Sequence, residues 1–512
     1  MQRVRTGCRN CRRRHKKCDE LRPVCTSCSK KGETCQWPLK GDVIRINTGD
    51  SVKKSNGSPE NAKTPSTVHS EVAGSVGSEV ASTSPVHGEY NYDDYDVLHN
   101  VFRDYMFLNA FTTNPLEPFY LEAEALEVTH SLDNFVTEPP PPDLPQDEKI
   151  RLLNRYISEV APWLDMFDHR NQFTSRLPLM VKERALLYSI LTIASRQQEK
   201  FDTSAKERTF RLYEQCLTHL LPKVKQVPSM DIVSSCVILC CFEMMASNSP
   251  SPAWRKHLEG CAELFKTAEV NGFSGELKSA VFWCFARMDI SFAIAGRMRT
   301  VIPCERWLPA GSSVYDARSL FHKNVTWNEA CDNFANYSVF LMSRVLNLIF
   351  APSLEPKEFE SEWLRLFNEL SLWWDERPGE MRPVEFQNPS NEVPFPKILY
   401  CVSPAISGNQ LFHTSAILLM SNRPRVDVSD SGILTRPLIW HAKQIVGISL
   451  TNDHHGCLIN SLQPLYVAGT LLSHPSEHKI IVDLLYAIEK RTGWSMSWRA
   501  HDLKRYWGLL DR

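Results

Sequence analysis

The chain has 512 residues, with 58 basic and 59 acidic side chains and a formal net charge of −1. This length allows roughly two to four domains and at least one large hydrophobic core. No apolar run reaches the eighteen or so residues of a membrane span, and no apolar stretch precedes Cys8 as a signal peptide would require. We therefore expect no membrane partner and no secretion, so clustered cysteines indicate metal binding rather than disulfides.

The charge is distributed unevenly along the chain. Residues 1–40 contain twelve Lys or Arg and three acidic residues, an excess of nine positive charges. The remaining residues therefore carry a net charge of −10. A compact basic end on an acidic body predicts a local binding site for a polyanion.

Six cysteines in the basic end follow a regular pattern, C-x2-C-x6-C repeated twice with an offset of seventeen residues. Zinc prefers tetrahedral thiolate sites, and C-x2-C is a natural chelating spacing. Two zinc ions with separate four-sulfur shells would need eight ligands, so six cysteines can hold two ions only if two of them bridge. The candidate ligands are Cys8, Cys11, Cys18, Cys25, Cys28 and Cys35.

Residues 6–38 resemble the fungal Zn2Cys6 binuclear-cluster DNA-binding family. The cysteine spacing, the basic first repeat CRNCRRRHKKC and the RPVC loop with Pro23 all match. The resemblance implies two Zn²⁺ ions bridged by Cys8 and Cys25. It implies that the two shells are completed by Cys11 with Cys18 and by Cys28 with Cys35. It also implies that each repeat is a short helix followed by an extended strand.

The same resemblance implies that the first helix enters the major groove of double-stranded DNA, usually at a CGG triplet. Basic residues directly follow Cys11, so some side chains can reach base edges and others phosphates. Where the family usually has a lysine that contacts guanine, this chain has a histidine. The second repeat has only Lys30 and Lys31, which predicts a supporting role. The candidate DNA contacts are Arg12, Arg14, His15, Lys16 and Lys17.

Residues 41–148 are predicted to be a linker. Residues 47–88 are rich in Ser, Gly, Asn, Thr and Pro, a composition typical of disorder, and no heptad pattern predicts a coiled coil. The sequence leaves open whether a homodimer forms through another part of the chain. Residues 89–107 mix acidic and aromatic residues, which is typical either of an activation segment or of an amphipathic helix. In the second case Val97, Phe102 and Tyr105 would face inwards.

Residues 149–512 show helical periodicity. In one helix, Phe359, Trp363, Leu366, Leu370 and Trp373 recur at spacings of three and four, after a proline and before Arg-Pro-Gly. Further predicted helices span 182–200, 205–225, 231–246, 254–270, 276–298, 333–350, 409–420 and 480–490. The predicted fold class is mainly all-α: a small Zn2Cys6 module at 1–40, a disordered linker at 41–148 and a large helical domain at 149–512.

Four stretches of the helical region resemble the fungus-specific regulatory domain that often accompanies the zinc cluster. They lie at residues 154–168, 251–261, 282–290 and 491–508. The resemblance implies regulation, and it favours a group that includes regulators of drug sensitivity and metabolic genes.

Motifs for catalysis are missing from the sequence, which contains no G-x-S-x-G, H-E-x-x-H, P-loop or G-x-G-x-x-G. We therefore do not expect an enzyme. Residues 272–275 are predicted to form a turn, and Cys240 with Cys241 to lie in the core. His257 and Glu259 are predicted to be surface or packing residues.

These patterns predict a nuclear, sequence-specific transcription factor of RNA polymerase II that binds DNA and contacts the transcription machinery or co-regulators. The basic run at 12–17 can also serve as a nuclear import signal. Two alternatives stay open. Turnover by residues 149–512 would favour an unrecognised enzyme tethered by the zinc module, and equal affinity for scrambled DNA would favour a metal or redox sensor.

Overall fold

The computed structural model describes residues 25–31, 102 and 144–510, with gaps at 200, 203, 225–227, 247–251, 324, 352–353, 391–392 and 429–431. The chain divides into two compact units, Met1–Val86 and His87–Arg512. In the first unit the described residues form one helix, α1 (Thr26–Ser29).

The second unit consists almost entirely of helices in its described part. They are α2 (Gln146–Arg155), α3 (Ala161–Leu164), α4 (Gln172–Ser175), α5 (Arg184–Glu199), α6 (Ala205–Val224), α7 (Met230–Ala246), α8 (Pro252–Thr267), α9 (Glu276–Gly296), α10 (Ala317–Phe321), α11 (Trp327–Ile349), α12 (Pro356–Glu376), α13 (Ser403–Ser421), α14 (Leu438–Thr451), α15 (His455–Asn460), α16 (Leu462–Gly469), α17 (Pro475–Thr492) and α18 (Ser497–Tyr506). A π-helical turn, Tyr156–Val160, joins α2 to α3.

Two three-residue strands, β1 (Glu385–Gln387) and β2 (Lys397–Leu399), form a small antiparallel pair between α12 and α13. Phe386 pairs with Ile398 at the centre of the register. The mainly all-α fold class is confirmed for the described residues, and α2 begins three residues before the predicted boundary at 149.

Several helix ends follow from local sequence signals. Both α12 and α17 begin with a proline, whose missing N–H is not needed in the first turn. Helix α17 ends at Gly493, which has a left-handed φ of 81° that glycine adopts without strain. Helix α12 ends before Arg377, since the residue preceding a proline is disfavoured in helical conformation.

Helix α13 lies at the centre of the second unit, packed against α11, α12, α14 and α16. It is buried around nearly its whole circumference, as expected for a helix with apolar or small residues on every side. Helix α9 is apolar and long enough to cross a membrane, but 78% of its most apolar eighteen-residue window is buried. That burial is typical of a core helix in a folded domain.

Phe102 is the only described residue of segment 89–107. Its backbone is helical, its side chain is fully buried, and its ring meets the His257 ring edge-on at a centroid distance of 4.7 Å. At this position the structure favours the packed amphipathic helix over a solvent-exposed activation segment. The predicted disordered stretch at 47–88 lies outside the described residues.

A histidine pair is buried where α13 meets α14. The Nδ1 atoms of His413 and His441 lie 2.9 Å apart, and both side chains are almost completely excluded from solvent. The rings of Trp374, Phe412 and Trp440 surround His413. Burial lowers the pKa of His441 to about 4. Burial, and secondly the nearby His441 ring, hold the pKa of His413 well below its ordinary value.

We predict that His441 makes the free energy of unfolding rise between about pH 4 and pH 6.5. In this window the unfolded chain binds a proton that the folded chain excludes, because the ordinary pKa of 6.5 falls to about 4 on folding. The contribution is fully present above pH 6.5 and is lost as the pH falls towards 4. Its size is on the order of 3 kcal/mol.

The measurement is urea-induced unfolding at several pH values for the wild type and His441→Leu. Asp289 acts in the opposite direction on the pH dependence of stability, because burial raises the pKa of its carboxyl to about 7. The informative quantity is therefore the difference in unfolding free energy between the two proteins at each pH. The variant should lose stability less steeply on acidification. Exposed His501 supplies the control variant, His501→Gln. An unchanged pH dependence in His441→Leu would contradict the assignment.

Candidate metal centre and nucleic-acid interface

The described part of the cysteine motif is a single helical turn. Cys25 caps α1 with extended backbone, and its carbonyl accepts from the N–H groups of Cys28 at 3.0 Å and Ser29 at 2.9 Å. Residues three apart lie on the same side of a helix, so this turn places the Cys25 and Cys28 side chains together. Both side chains are fully buried.

This arrangement fits two ligands of a zinc–thiolate site. A buried C-x2-C pair on one turn is the chelating unit that zinc prefers, and few apolar side chains accompany it in the sequence. Small modules of this kind depend on the metal for folding. The remaining predicted ligands, Cys8, Cys11, Cys18 and Cys35, lie outside the described residues.

Exposed cations follow the turn. Lys30 and Lys31 lie at the carboxyl end of α1 and are exposed, where positive charge suits the helix dipole. They give the second repeat a basic surface. The predicted DNA contacts Arg12, Arg14, His15, Lys16 and Lys17 lie outside the described residues.

The second unit contains one group of three side chains whose ligand atoms are close enough to hold a metal, among the residues the structure describes. It comprises Asp168, His169 and Asp332, with ligand atoms within 4.8 Å of one another. The Oδ2 atom of Asp332 accepts from the His169 N–H at 2.7 Å and lies 2.6 Å from its Nδ1. Asp168 accepts from the backbone N–H of Gln172 at 3.0 Å. The cluster therefore joins the loop before α4 to α11.

Burial raises the pKa of Asp332 to about 6, although the hydrogen bonds from His169 act to lower it. This cluster could not be predicted from the sequence, because His169 and Asp332 are 163 positions apart. No local spacing links them, so no sequence signal could have found the contact.

His257 and Glu259 were predicted to be surface or packing residues, and the structure gives one of these roles to each. His257 is buried, with its Nδ1 atom 3.2 Å from Oε2 of Glu243. Glu259 forms an ion pair with Arg255 at 2.6 Å on an exposed face. The predicted surface or packing roles are confirmed.

The predicted core cysteines and the predicted turn are also confirmed. Cys240 and Cys241 are buried on α7. Residues 272–275 connect α8 to α9, and the Gly272 carbonyl accepts from the indole N–H of Trp283 at 2.8 Å. A Cβ atom on Gly272 would lie 2.5 Å from the Trp283 ring, so this close approach requires glycine.

Two families match the chain. The fungal specific transcription factor domain matches residues 151–509, and the fungal Zn(2)-Cys(6) binuclear cluster domain matches residues 6–41. The first match covers the helical unit from α2 to α18. The second covers all six cysteines and the basic run, and its binuclear cluster implies zinc binding. No solved structure matches the chain.

Three curated proteins are similar to parts of the chain. Transcription activator AMTR1 of Alternaria alternata is 23% identical over 55% of this chain and 44% of its own length. Two Aspergillus fumigatus proteins match shorter stretches. The C6 finger domain transcription factor hasF is 41% identical over 11% of this chain and 8% of its own length. The Zn(2)-C6 fungal-type transcription factor afumD is 47% identical over 9% of this chain and 13% of its own length.

The chain spans less than half of the length of each of these relatives. The match to the regulatory domain nevertheless extends over more than half of the chain, and the cluster domain lies in front of it. The chain therefore belongs to the fungal specific transcription factors that carry an N-terminal Zn(2)-Cys(6) binuclear cluster.

Proposed function

We propose that this chain is a zinc-dependent, sequence-specific DNA-binding regulator of RNA polymerase II transcription that acts in the nucleus. The observation that carries this proposal is the twofold C-x2-C-x6-C repeat with a dense basic run inside its first copy. A metal store or a redox sensor has no need of that basic run, whereas a reader of DNA does. The match of residues 151–509 to the fungal specific transcription factor domain supports a regulator over an enzyme.

The zinc ions have a structural role in this proposal. Two Zn²⁺ ions share the six thiolates, with Cys8 and Cys25 as bridges, and hold together a module without an apolar core of its own. Cys11 with Cys18 and Cys28 with Cys35 complete the two shells. The buried Cys25–Cys28 turn supports the assignment of two of these ligands.

The first repeat reads a CGG-like triplet from the major groove. Guanine presents two acceptors there, and arginine and lysine are its commonest partners. The residues assigned to contacts with bases or phosphates are Arg12, Arg14, His15, Lys16 and Lys17. His15 can still donate to a guanine acceptor, with a shorter reach than lysine.

The helical unit is the regulatory part of the proposed factor. It presents surfaces for co-regulators or for a second copy of the chain, and it lacks the catalytic motifs of the common hydrolases and nucleotide-binding enzymes. Activation of metabolic or drug-response genes is the proposed outcome. The name of the Alternaria relative, a transcription activator, supports activation over repression.

We predict that Lys17→Ala weakens specific DNA binding about tenfold without unfolding the zinc module. The reason is the loss of one cationic contact from the reading helix. Titration of a CGG-containing duplex at several salt concentrations measures the effect. If Lys17 contacts only phosphate, every sequence should lose affinity equally and the salt slope should fall by about one.

Lys31→Ala is the matched control, because Lys31 is an exposed lysine in the supporting repeat. It should change affinity less than Lys17→Ala does. Equal losses in the two variants would remove the distinction between a reading repeat and a supporting repeat.

A further inference from the structure

The loop that joins α3 to α4 meets α11 through two carboxylates and one imidazole. The ligand atoms of Asp168, His169 and Asp332 lie within 4.8 Å of one another. Ligand atoms bound about 2.1 Å from one ion lie at most roughly 4.2 Å apart, so small side-chain movements would bring all three to a shared ion. The three side chains are therefore already close to a metal-binding arrangement.

This group carries an excess of negative charge. Asp168 and Asp332 contribute two carboxylates, and His169 contributes at most one positive charge. Among the described residues the ion-pair partner of Asp332 is His169, and the nearby Arg170 instead reaches Glu329 at 4.0 Å. Asp332 is only 7% exposed, and a buried carboxylate needs a positive partner. A divalent cation would supply the missing charge.

Asn336 adds a buried oxygen atom beside the group. It lies one turn after Asp332 on the same face of α11, and its side chain leans towards the amino end of the helix, where Asp332 lies. Its Nδ2 donates to the Phe167 carbonyl at 3.4 Å, directly before Asp168 in the loop. The residue is 6% exposed, and its Oδ1 accepts no hydrogen bond in the described part of the chain. An acceptor in that state favours a ligand that takes up its lone pair, as a metal ion does.

Backbone N–H groups hold both carboxylates in place. The His169 N–H donates to Oδ2 of Asp332 at 2.7 Å, and the Gln172 N–H donates to Oδ2 of Asp168 at 3.0 Å. Hydrogen bonds of this kind orient metal ligands. The His169 side chain is 27% exposed, so an ion can reach the group from solvent.

We propose that these four side chains bind a divalent transition-metal ion. Its ligands are Nδ1 of His169, one oxygen each of Asp168 and Asp332, and Oδ1 of Asn336. Nδ1 lies 2.6 Å from Oδ2 of Asp332, and on binding the ion replaces the proton between these two atoms, which passes to solvent. One imidazole among three oxygens suits Mn²⁺ or Zn²⁺ better than Mg²⁺ or Ca²⁺. The bound ion would fasten the loop to α11, and this site is distinct from the six-cysteine cluster.

Mn²⁺ is the probe, because thiolates such as those of the zinc cluster favour softer metals. The 512-residue chain is first dialysed against citrate, which removes weakly bound zinc but not thiolate-bound zinc. It is then titrated with Mn²⁺, and electron paramagnetic resonance measures the loss of the free-ion signal. We expect saturable binding of one Mn²⁺ per chain, with an imidazole nitrogen coupled to the bound ion. Zn²⁺ should displace it at a lower concentration than Mg²⁺, since Zn²⁺ binds imidazole more tightly.

His169→Gln and Asp332→Asn should each weaken Mn²⁺ binding at least about tenfold, because each removes a ligand. His169→Gln should also remove the nitrogen coupling. Asn336→Leu should weaken binding less, since it removes a neutral ligand. His322→Gln is the matched control and should bind Mn²⁺ as the wild type does. His322 lies 3.0 Å from Glu376 with a similarly exposed side chain, but it belongs to no group of three ligands among the described residues.

The absence of saturable Mn²⁺ binding would overturn the proposal. So would bound Mn²⁺ without a coupled nitrogen, or equal affinity in the wild type and His169→Gln, since other carboxylates would then hold the ion. The stoichiometry and the nitrogen coupling of the wild type are decisive even if Asp332→Asn fails to fold. Unchanged affinity in Asn336→Leu would contradict the assignment of the fourth ligand.

Discussion

Replacing Cys28 with alanine is expected to abolish specific DNA binding and to leave the helical unit folded. Cys28 is buried on the turn that also presents Cys25, and the proposed cluster has no spare ligand. Structural zinc supplies on the order of 10–16 kcal/mol of apparent binding free energy at neutral pH. Few apolar residues in this module could replace that contribution, so losing one ligand should unfold it.

The matched control is Cys401→Ala, which removes an exposed cysteine from the helical unit. Zinc content, affinity for a CGG-containing duplex and far-ultraviolet circular dichroism should be measured for both variants. Cys401→Ala should retain the zinc and the affinity of the wild type. A Cys28→Ala protein that binds the duplex with undiminished specificity would refute the cluster assignment.

Arg344→Leu is expected to destabilise the helical unit by about 3–5 kcal/mol, because it breaks a buried ion-pair network by removing its cation. The Arg344 side chain is 4% exposed and connects α11 to Glu362 and Glu369 on α12. Burial alone would lower the pKa of Arg344, but the two glutamates raise it. Tyr337 also donates to Glu369 at 3.1 Å, so the variant would leave a partly bonded carboxylate without its counter-ion.

Urea-induced unfolding followed by circular dichroism measures this loss. Lys479→Met is the control, because Lys479 and Asp483 form an exposed pair of the kind that contributes little to stability. It should leave the unfolding midpoint unchanged, and zinc content should be unchanged in both variants. A midpoint for Arg344→Leu equal to that of the control would show that the network contributes no net stability.

The helices could be predicted where sequence periodicity and end signals agree. The spacing of Phe359, Trp363 and Leu366 and the flanking prolines predict α12 almost to its ends. Helix α13 extends six residues before its predicted start at 409, since Pro404 is tolerated in the first turn. Helix α14 was missed, because it is buried on several sides and shows no clear amphipathic stripe.

Features that depend on distant residues could not be predicted. The β1–β2 pair has only three residues per strand, too few to show an alternating pattern. The contacts between His169 and Asp332 and between His413 and His441 join separate helices or loops. For the metal site the opposite holds, because all six candidate ligands lie within 28 residues and their spacing alone indicates the chemistry.

In the proposed function, zinc folds a module that reads a specific DNA sequence. The decisive experiment is the selection of bound duplexes from a random pool by the whole 512-residue chain, with zinc and in parallel with a chelator. We expect enrichment of a CGG-containing site only in the presence of zinc, as one triplet or as a spaced pair if the chain binds as a dimer. Equal recovery of scrambled sequences, or the same enrichment with the chelator present, would contradict it.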